Sequence, residues 1–178
     1  MLLTFALALY ALLPLFAPVL MYVGHERAAK GIYLLFRPLC HQLPERSFFL
    51  FGPQPVYSIA ELSAALGGAV PVRYIGDARL GYKMAVCQRD VAIYGSMFLA
   101  MVAYGPWAGR LRRWPLWALA VCAAPMAIDG GGQLVGLWQS SPLSRVLTGA
   151  LFGVGAIRVL LPILDRGLAE ARITVGAR

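Results

Sequence analysis

The sequence predicts an all-α fold, a polytopic membrane helix bundle of about four transmembrane helices with interfacial helices between them. Three observations lead there. Of 178 residues, 60% are hydrophobic and only 13% charged, about half the charged share of a soluble domain. Mean hydropathy is +0.68. Four apolar runs approach the roughly 20 residues that a helix needs to cross a bilayer, and helices rather than lone strands satisfy their backbones in lipid.

Residues 2–24 form the first run. Pro14 and Pro18 would kink it, which membrane helices tolerate. It lacks a basic leading region and a small-residue cleavage site, so it reads as a retained helix rather than a signal peptide. Residues 25–41 alternate apolar Ile32, Tyr33, Leu35 and Phe36 with charged Glu26, Arg27, Lys30 and Arg37. That pattern predicts an interfacial helix ending near Pro38. Residues 43–82 are mixed, punctuated at Gly52-Pro53 and Gly67-Gly68, with two helical turns expected over 59–66. The aromatic stretch 47–51 (SFFLF) should pack against the membrane surface.

The second membrane helix is expected from about Met84 to Tyr104, ended by Gly105-Pro106 and followed by a basic turn of Arg110, Arg112 and Arg113. The third starts near Trp114. Asp129 and three glycines should interrupt it before it resumes toward Trp138, since glycine costs a helix about 1 kcal/mol per residue against alanine. The fourth covers about 143–164, with Gly149, Gly153 and Gly155 as small faces for close helix contact. A polar tail, 165–178, should lie at the surface.

The whole chain, 1–178, reads as one integral membrane domain with a long extramembrane segment at about 25–83. Its net charge of +8 is the charge of membrane-flanking Lys and Arg, and no nucleic-acid-binding motif accompanies it. Basic short loops mark the cytoplasmic side. The expected location is therefore the inner (cytoplasmic) membrane, multi-pass, with both termini inside. The lipid bilayer is the expected partner, with other membrane subunits beside it.

Four crossings would gather polar residues at one membrane face: Cys40, His41, Gln42, Arg46, Cys87, Arg89, Asp90, Tyr94, Asp129, Gln133 and Arg145. If residues 83–95 were one helix, Lys83, Cys87, Asp90 and Tyr94 would share a stripe. Polar groups at such depth are expected to pair, and often mark function. Asp129 is expected to pair with Arg145, with Arg89 as the next candidate. Cys40, His41, Cys87 and Asp90 offer thiolate, imidazole and carboxylate, a set that suits Zn²⁺. A Cys40–Cys87 disulfide and free buried thiols are the alternatives. Cys122 reads as a core residue, and Arg158 as a snorkelling side chain. There is no phosphate-binding loop, no G-x-S-x-G and no H-E-x-x-H.

The stretches CHQLPERSFF (40–49), CQRDVAIYG (87–95), DGGGQLVGL (129–137) and SRVLTG (144–149) together resemble a family of small bacterial and archaeal membrane proteins, domain of unknown function two-zero-eight-five. The resemblance implies a multi-helix membrane protein with a motif-rich face. Members commonly read C-x-R-C where this chain has Cys87-Gln88-Arg89-Asp90. Two functional readings follow from the sequence. The first is a non-enzymatic accessory subunit or small factor of a membrane assembly. The second is a thiol- or metal-dependent membrane enzyme or transporter.

Overall fold

The structure is a computed structural model that describes residues 2–107 and 114–176. Its backbone divides into two compact units. One is Phe5–Val91; the other is Ala92–Arg178 together with Met1–Thr4. Six α-helices, one turn of 3-10 helix (Pro44–Arg46) and a three-stranded sheet make up the described elements.

In the first unit, α1 (Leu2–Tyr22) is followed by α2 (Glu26–Phe36). The apolar face of α2 buries Ala29, Tyr33 and Phe36. These pack with Ala17 of α1 and with Cys40, Ala85 and Val86, and the Tyr10 and Phe36 rings meet edge to face at 5.1 Å. Arg37 lies past the end of α2, and the chain turns so that the N–H of Cys40 donates to the Phe36 carbonyl at 3.0 Å.

The expectation of an all-helical chain is corrected here. Strands β1 (Ser47–Leu50), β2 (Gly76–Asp77) and β3 (Gly81–Cys87) form an antiparallel sheet in the order β1-β3-β2. The central strand is buried on both faces, so its residues lack the alternation that betrays a half-buried strand. Gly81 has φ +80°, and a Cβ there would lie 2.3 Å from the Leu50 carbonyl oxygen, so only glycine lets β1 and β3 close at this point. Helix α3 (Ile59–Leu66) falls on the expected residues. Its start is a reciprocal cap: the Ser58 hydroxyl accepts from the Glu61 N–H, and the Glu61 carboxylate accepts from the Ser58 N–H. Phe49, Tyr57 and Leu62 form a second small core there. The SFFLF stretch thus supplies an edge strand and a core ring.

Lys83 belongs to β3, whereas Cys87 ends that strand and α4 (Gln88–Trp107) begins at the next residue. The single helical stripe from Lys83 to Tyr94 therefore does not exist. Helix α4 also continues through Gly105-Pro106, where a proline so near the helix end removes only one backbone bond. The expected Arg110, Arg112 and Arg113 turn lies outside the described residues.

In the second unit, α5 (Trp117–Leu134) runs unbroken through the triple glycine, contrary to the expected interruption. The stop comes later. Gly136, at φ +76°, donates to the Gln133 carbonyl, and the N–H of Leu137 donates to the Gly132 carbonyl at 2.8 Å. This pair of bonds around a left-handed glycine is the Schellman termination. It folds Trp138 back so that a Cβ on Gly132 would lie 2.1 Å from the indole. The glycines thus make room for a ring, and the helix survives them.

Helix α6 (Pro142–Gly176) extends well past the expected end, because the presumed tail carries helix formers such as Leu168, Ala169 and Glu170. Gly155 of α6 faces Cys122 of α5, and Gly153 faces Ile93 and Ser96 of α4. Among the described residues, two helices are long and apolar enough to cross a membrane, Leu3–Tyr22 and Pro142–Gly167.

Candidate functional site

Cys40, Cys87 and Asp90 converge within the first unit, from three different origins. Cys40 sits in the turn after α2, held in the core with Phe36 and Val86. Cys87 closes β3, and Asp90 lies in the first turn of α4. The Cys87 N–H donates to the Cys40 sulfur at 3.2 Å, and the Cys87 thiol donates to Asp90 Oδ2 at 3.2 Å. One ligand atom from each residue falls within 4.8 Å of the others. Across a tetrahedral ion with Zn–S bonds of about 2.3 Å, two sulfurs stand about 3.8 Å apart, so a small contraction would bring these atoms to ligating distance. All three cysteines are free thiols.

Electrostatics separate the two thiols. The hydrogen bond to Cys87, then burial, then the nearby Asp90 carboxylate push the Cys40 thiol well above its ordinary range. Cys87 is the thiol that yields its proton first, because Cys40 is placed to donate to it. The N-terminus of α4 favours negative charge at both Cys87 and Asp90.

The other expected site residues fall around or away from this cluster. His41 is exposed and points into a neighbouring cleft with Lys83 and Arg73, so three of the four expected metal ligands meet. Gln42 is buried and adopts φ 54°, a left-handed conformation a non-glycine residue holds only when its surroundings fix it. The fixing contacts are visible: its Nε2 donates to the Tyr33 carbonyl at 2.8 Å, and its own carbonyl accepts from Lys83 Nζ. Tyr33 Oη in turn donates to the Lys83 carbonyl, and burial raises the Tyr33 phenol above its usual range. Arg46 and Arg89 are half-buried. Lys83 and Tyr33 are the residues of this region that the expected site omitted. Their signal was the burial of a lysine in a strand, which sequence periodicity does not reveal.

Tyr94, Asp129, Gln133 and Arg145 belong to the second unit. Asp129, half-buried on α5, accepts hydrogen bonds from the Ser140 and Ser144 hydroxyls, the latter at 2.8 Å. Both serines were absent from the expected site. They belong to the SSPLS stretch that opens α6, where the Ser141 hydroxyl caps the helix by accepting from the Ser144 N–H at 3.1 Å. Arg145, the expected partner, is buried one residue beyond Ser144. Gln133 is half-buried in the last turn of α5, and Tyr94 is half-buried on α4. Cys122 is buried, as expected of a core residue, and Arg158 lies 5.2 Å over the Trp114 ring.

Long apolar helices and a small capped sheet, with a thiol–carboxylate cluster where strand gives way to helix, fit the class of predicted helical membrane proteins. The chain belongs to the family described as predicted membrane protein (DUF2085), whose pattern matches residues 79–159. That match takes in Cys87, Asp90, Asp129 and Arg145, and starts after Cys40. An uncharacterized protein of Methanocaldococcus jannaschii is 31% identical over 135 residues, covering 74% of this chain and 67% of that protein. No solved structure matches the chain.

Proposed function

We propose that this membrane protein binds a soft divalent metal ion, of which Zn²⁺ is the type, through Cys40, Cys87 and Asp90. The observation that carries the reading is the meeting of two sulfurs and a carboxylate oxygen within 4.8 Å, from residues 47 and 50 positions apart in sequence. Two thiolates and a carboxylate select a thiophilic ion over Mg²⁺ or Ca²⁺. Three protein ligands leave a fourth position for water or a substrate. In a disulfide the sulfurs would instead sit about 2.05 Å apart, and the Cys87 thiol could no longer donate to Asp90.

The accessory-subunit reading drew on the chain's small size, its lack of a catalytic motif and glycine faces suited to partner helices. Gly153 and Gly155 are occupied within the chain, by Ile93, Ser96 and Cys122, so those two faces no longer argue for a partner, and we place the metal reading first. The fuller arrangement we propose adds α4 and α5 to the two long apolar helices. That makes four crossings of the inner (cytoplasmic) membrane, with both termini cytoplasmic and the 25–83 segment outside.

Equilibrium dialysis of the detergent-purified protein against Zn²⁺ tests the site. One ion per chain is expected. Cys40→Ser, Cys87→Ser and Asp90→Asn should each weaken its binding at least ten-fold, while Cys122→Ser leaves it unchanged. Binding insensitive to the first three substitutions would sink the proposal.

A further inference from the structure

A second site lies in the same unit, beside the thiols. A cleft of about 390 Å³ opens between α2, the 41–42 turn, the 72–75 segment and β3. Lys30, Arg37, His41, Arg73 and Lys83 all line it, and among the described residues no Asp or Glu does. Lys30 has its own partner in Glu26, but Arg37, Arg73 and Lys83 around one small cleft repel each other unless an anion joins them.

Lys83 sharpens the point. Its side chain is 1% exposed, yet among the described residues no carboxylate lies within ion-pairing distance of it. One ammonium donor goes to the Gln42 carbonyl, and the Tyr33 ring lies 5.8 Å away. A buried charge so placed is costly unless paired. The acids nearby have other duties or keep their distance. Glu26 is bonded to Lys30 on the solvent side at 2.7 Å, and Glu45 acts on Lys83 only at longer range. The cleft also has an apolar rim, Leu34 and Val72, both well exposed, with Ile75 deeper. Leu35 and Leu39 extend the exposed apolar surface of α2 and the turn after it.

We infer that this cleft binds a phosphate-bearing anion, with Lys83 beneath the phosphate and Arg37 and Arg73 closing over it. Arginine guanidinium groups hold phosphate oxygens in pairs, and the buried ammonium supplies a fixed point charge. The phosphate could be the headgroup of an anionic lipid, its chains along the apolar rim, or that of a water-soluble compound.

The test is isothermal titration of the detergent-purified full chain with three probes: dihexanoyl phosphatidic acid, dihexanoyl phosphatidylcholine and inorganic phosphate. Phosphatidic acid should bind saturably, and Arg37→Gln with Arg73→Gln together should weaken it at least ten-fold. Both arginines are exposed, so this double variant keeps the fold. Lys83→Met should abolish binding, with circular dichroism reporting whether it folds. Inorganic phosphate binding as tightly as phosphatidic acid, and lost in the same double variant, supports the site with a soluble ligand. Much tighter phosphatidic acid binding supports it with a lipid. Equal binding of phosphatidylcholine, binding unchanged in the double variant, or no binding of either phosphate probe overturns it. These titrations contain no Zn²⁺, so they fail or succeed separately from the metal reading.

Discussion

Glycine-to-alanine substitutions at Gly153 and Gly131 should change stability in opposite directions. At Gly153 an added Cβ would lie 2.4 Å from the Ile93 carbonyl oxygen and 2.1 Å from the Ser96 hydroxyl. The serine side chain can rotate away, but the carbonyl belongs to the α4 backbone and cannot. Ordinary contact needs about 3.5 Å, so α4 and α6 must part by about 1 Å. Overpacking of this kind costs about 1–3 kcal/mol, offset by about 1 kcal/mol from the better helix propensity of alanine. The net loss is about 0–2 kcal/mol. At Gly131, within α5, nothing lies within 4 Å of the added carbon, so only the propensity gain of about 1 kcal/mol remains. The two variants should therefore differ by about 1–3 kcal/mol, which for a chain of this size is several degrees in Tm. Thermal unfolding in one detergent, followed by circular dichroism, measures it. A Gly153→Ala protein as stable as Gly131→Ala would refute the packing of α6 on α4.

Three further outcomes are expected. Burial holds the Lys83 ammonium down at about 8 against an ordinary 10.5. Between those values the unfolded chain binds more protons, so the penalty is full below about pH 8 and is relieved as pH rises toward 10.5; denaturation across that range should show the stability gap to Lys83→Met changing with pH, and parallel curves would contradict it. Asp129→Ala strands the Ser140 and Ser144 hydroxyls and should cost about 1–3 kcal/mol, whereas Asp129→Asn keeps an acceptor oxygen and should cost less, as thermal melts would register. Single cysteines introduced near position 175 and in the 60–80 segment of a cysteine-free variant should label from opposite sides of sealed vesicles, and labelling from one side would end the four-crossing proposal.

Much of the helical skeleton was legible because its signals are local. Ser58 and Glu61 announce α3, the apolar run announces α1, and the alternation of charge and apolar residues announces α2. The sheet was not legible. β1 and β2 have four and two residues and β3 is covered on both faces; β1 alternates in burial, but its residues, SFFL, do not alternate polar with apolar. The triple glycine misled in the other direction. Propensity alone argues for a break, but Trp138 packing onto Gly132 and the left-handed Gly136 place the stop past Leu134. At the site, Cys40, Cys87 and Asp90 were legible as chemistry, because few other residues of this apolar chain can ligate a metal. That His41 lines the basic cleft instead is a tertiary outcome of the turn after α2, which no pattern of residue types encodes. Ser140 and Ser144 were missed because hydroxyls at a helix start are usually read as caps alone.

The most direct test of the metal reading is the absorption spectrum of the purified protein titrated with Co²⁺ as a stand-in for Zn²⁺. Thiolate ligation gives an intense near-ultraviolet sulfur-to-cobalt charge-transfer band, which carboxylate or buffer binding does not. The account predicts that this band saturates at one Co²⁺ per chain, halves in intensity per ion in Cys40→Ser or Cys87→Ser, disappears in the double variant, and is displaced by Zn²⁺. A spectrum without the band, or one unchanged when both cysteines are replaced, would contradict it.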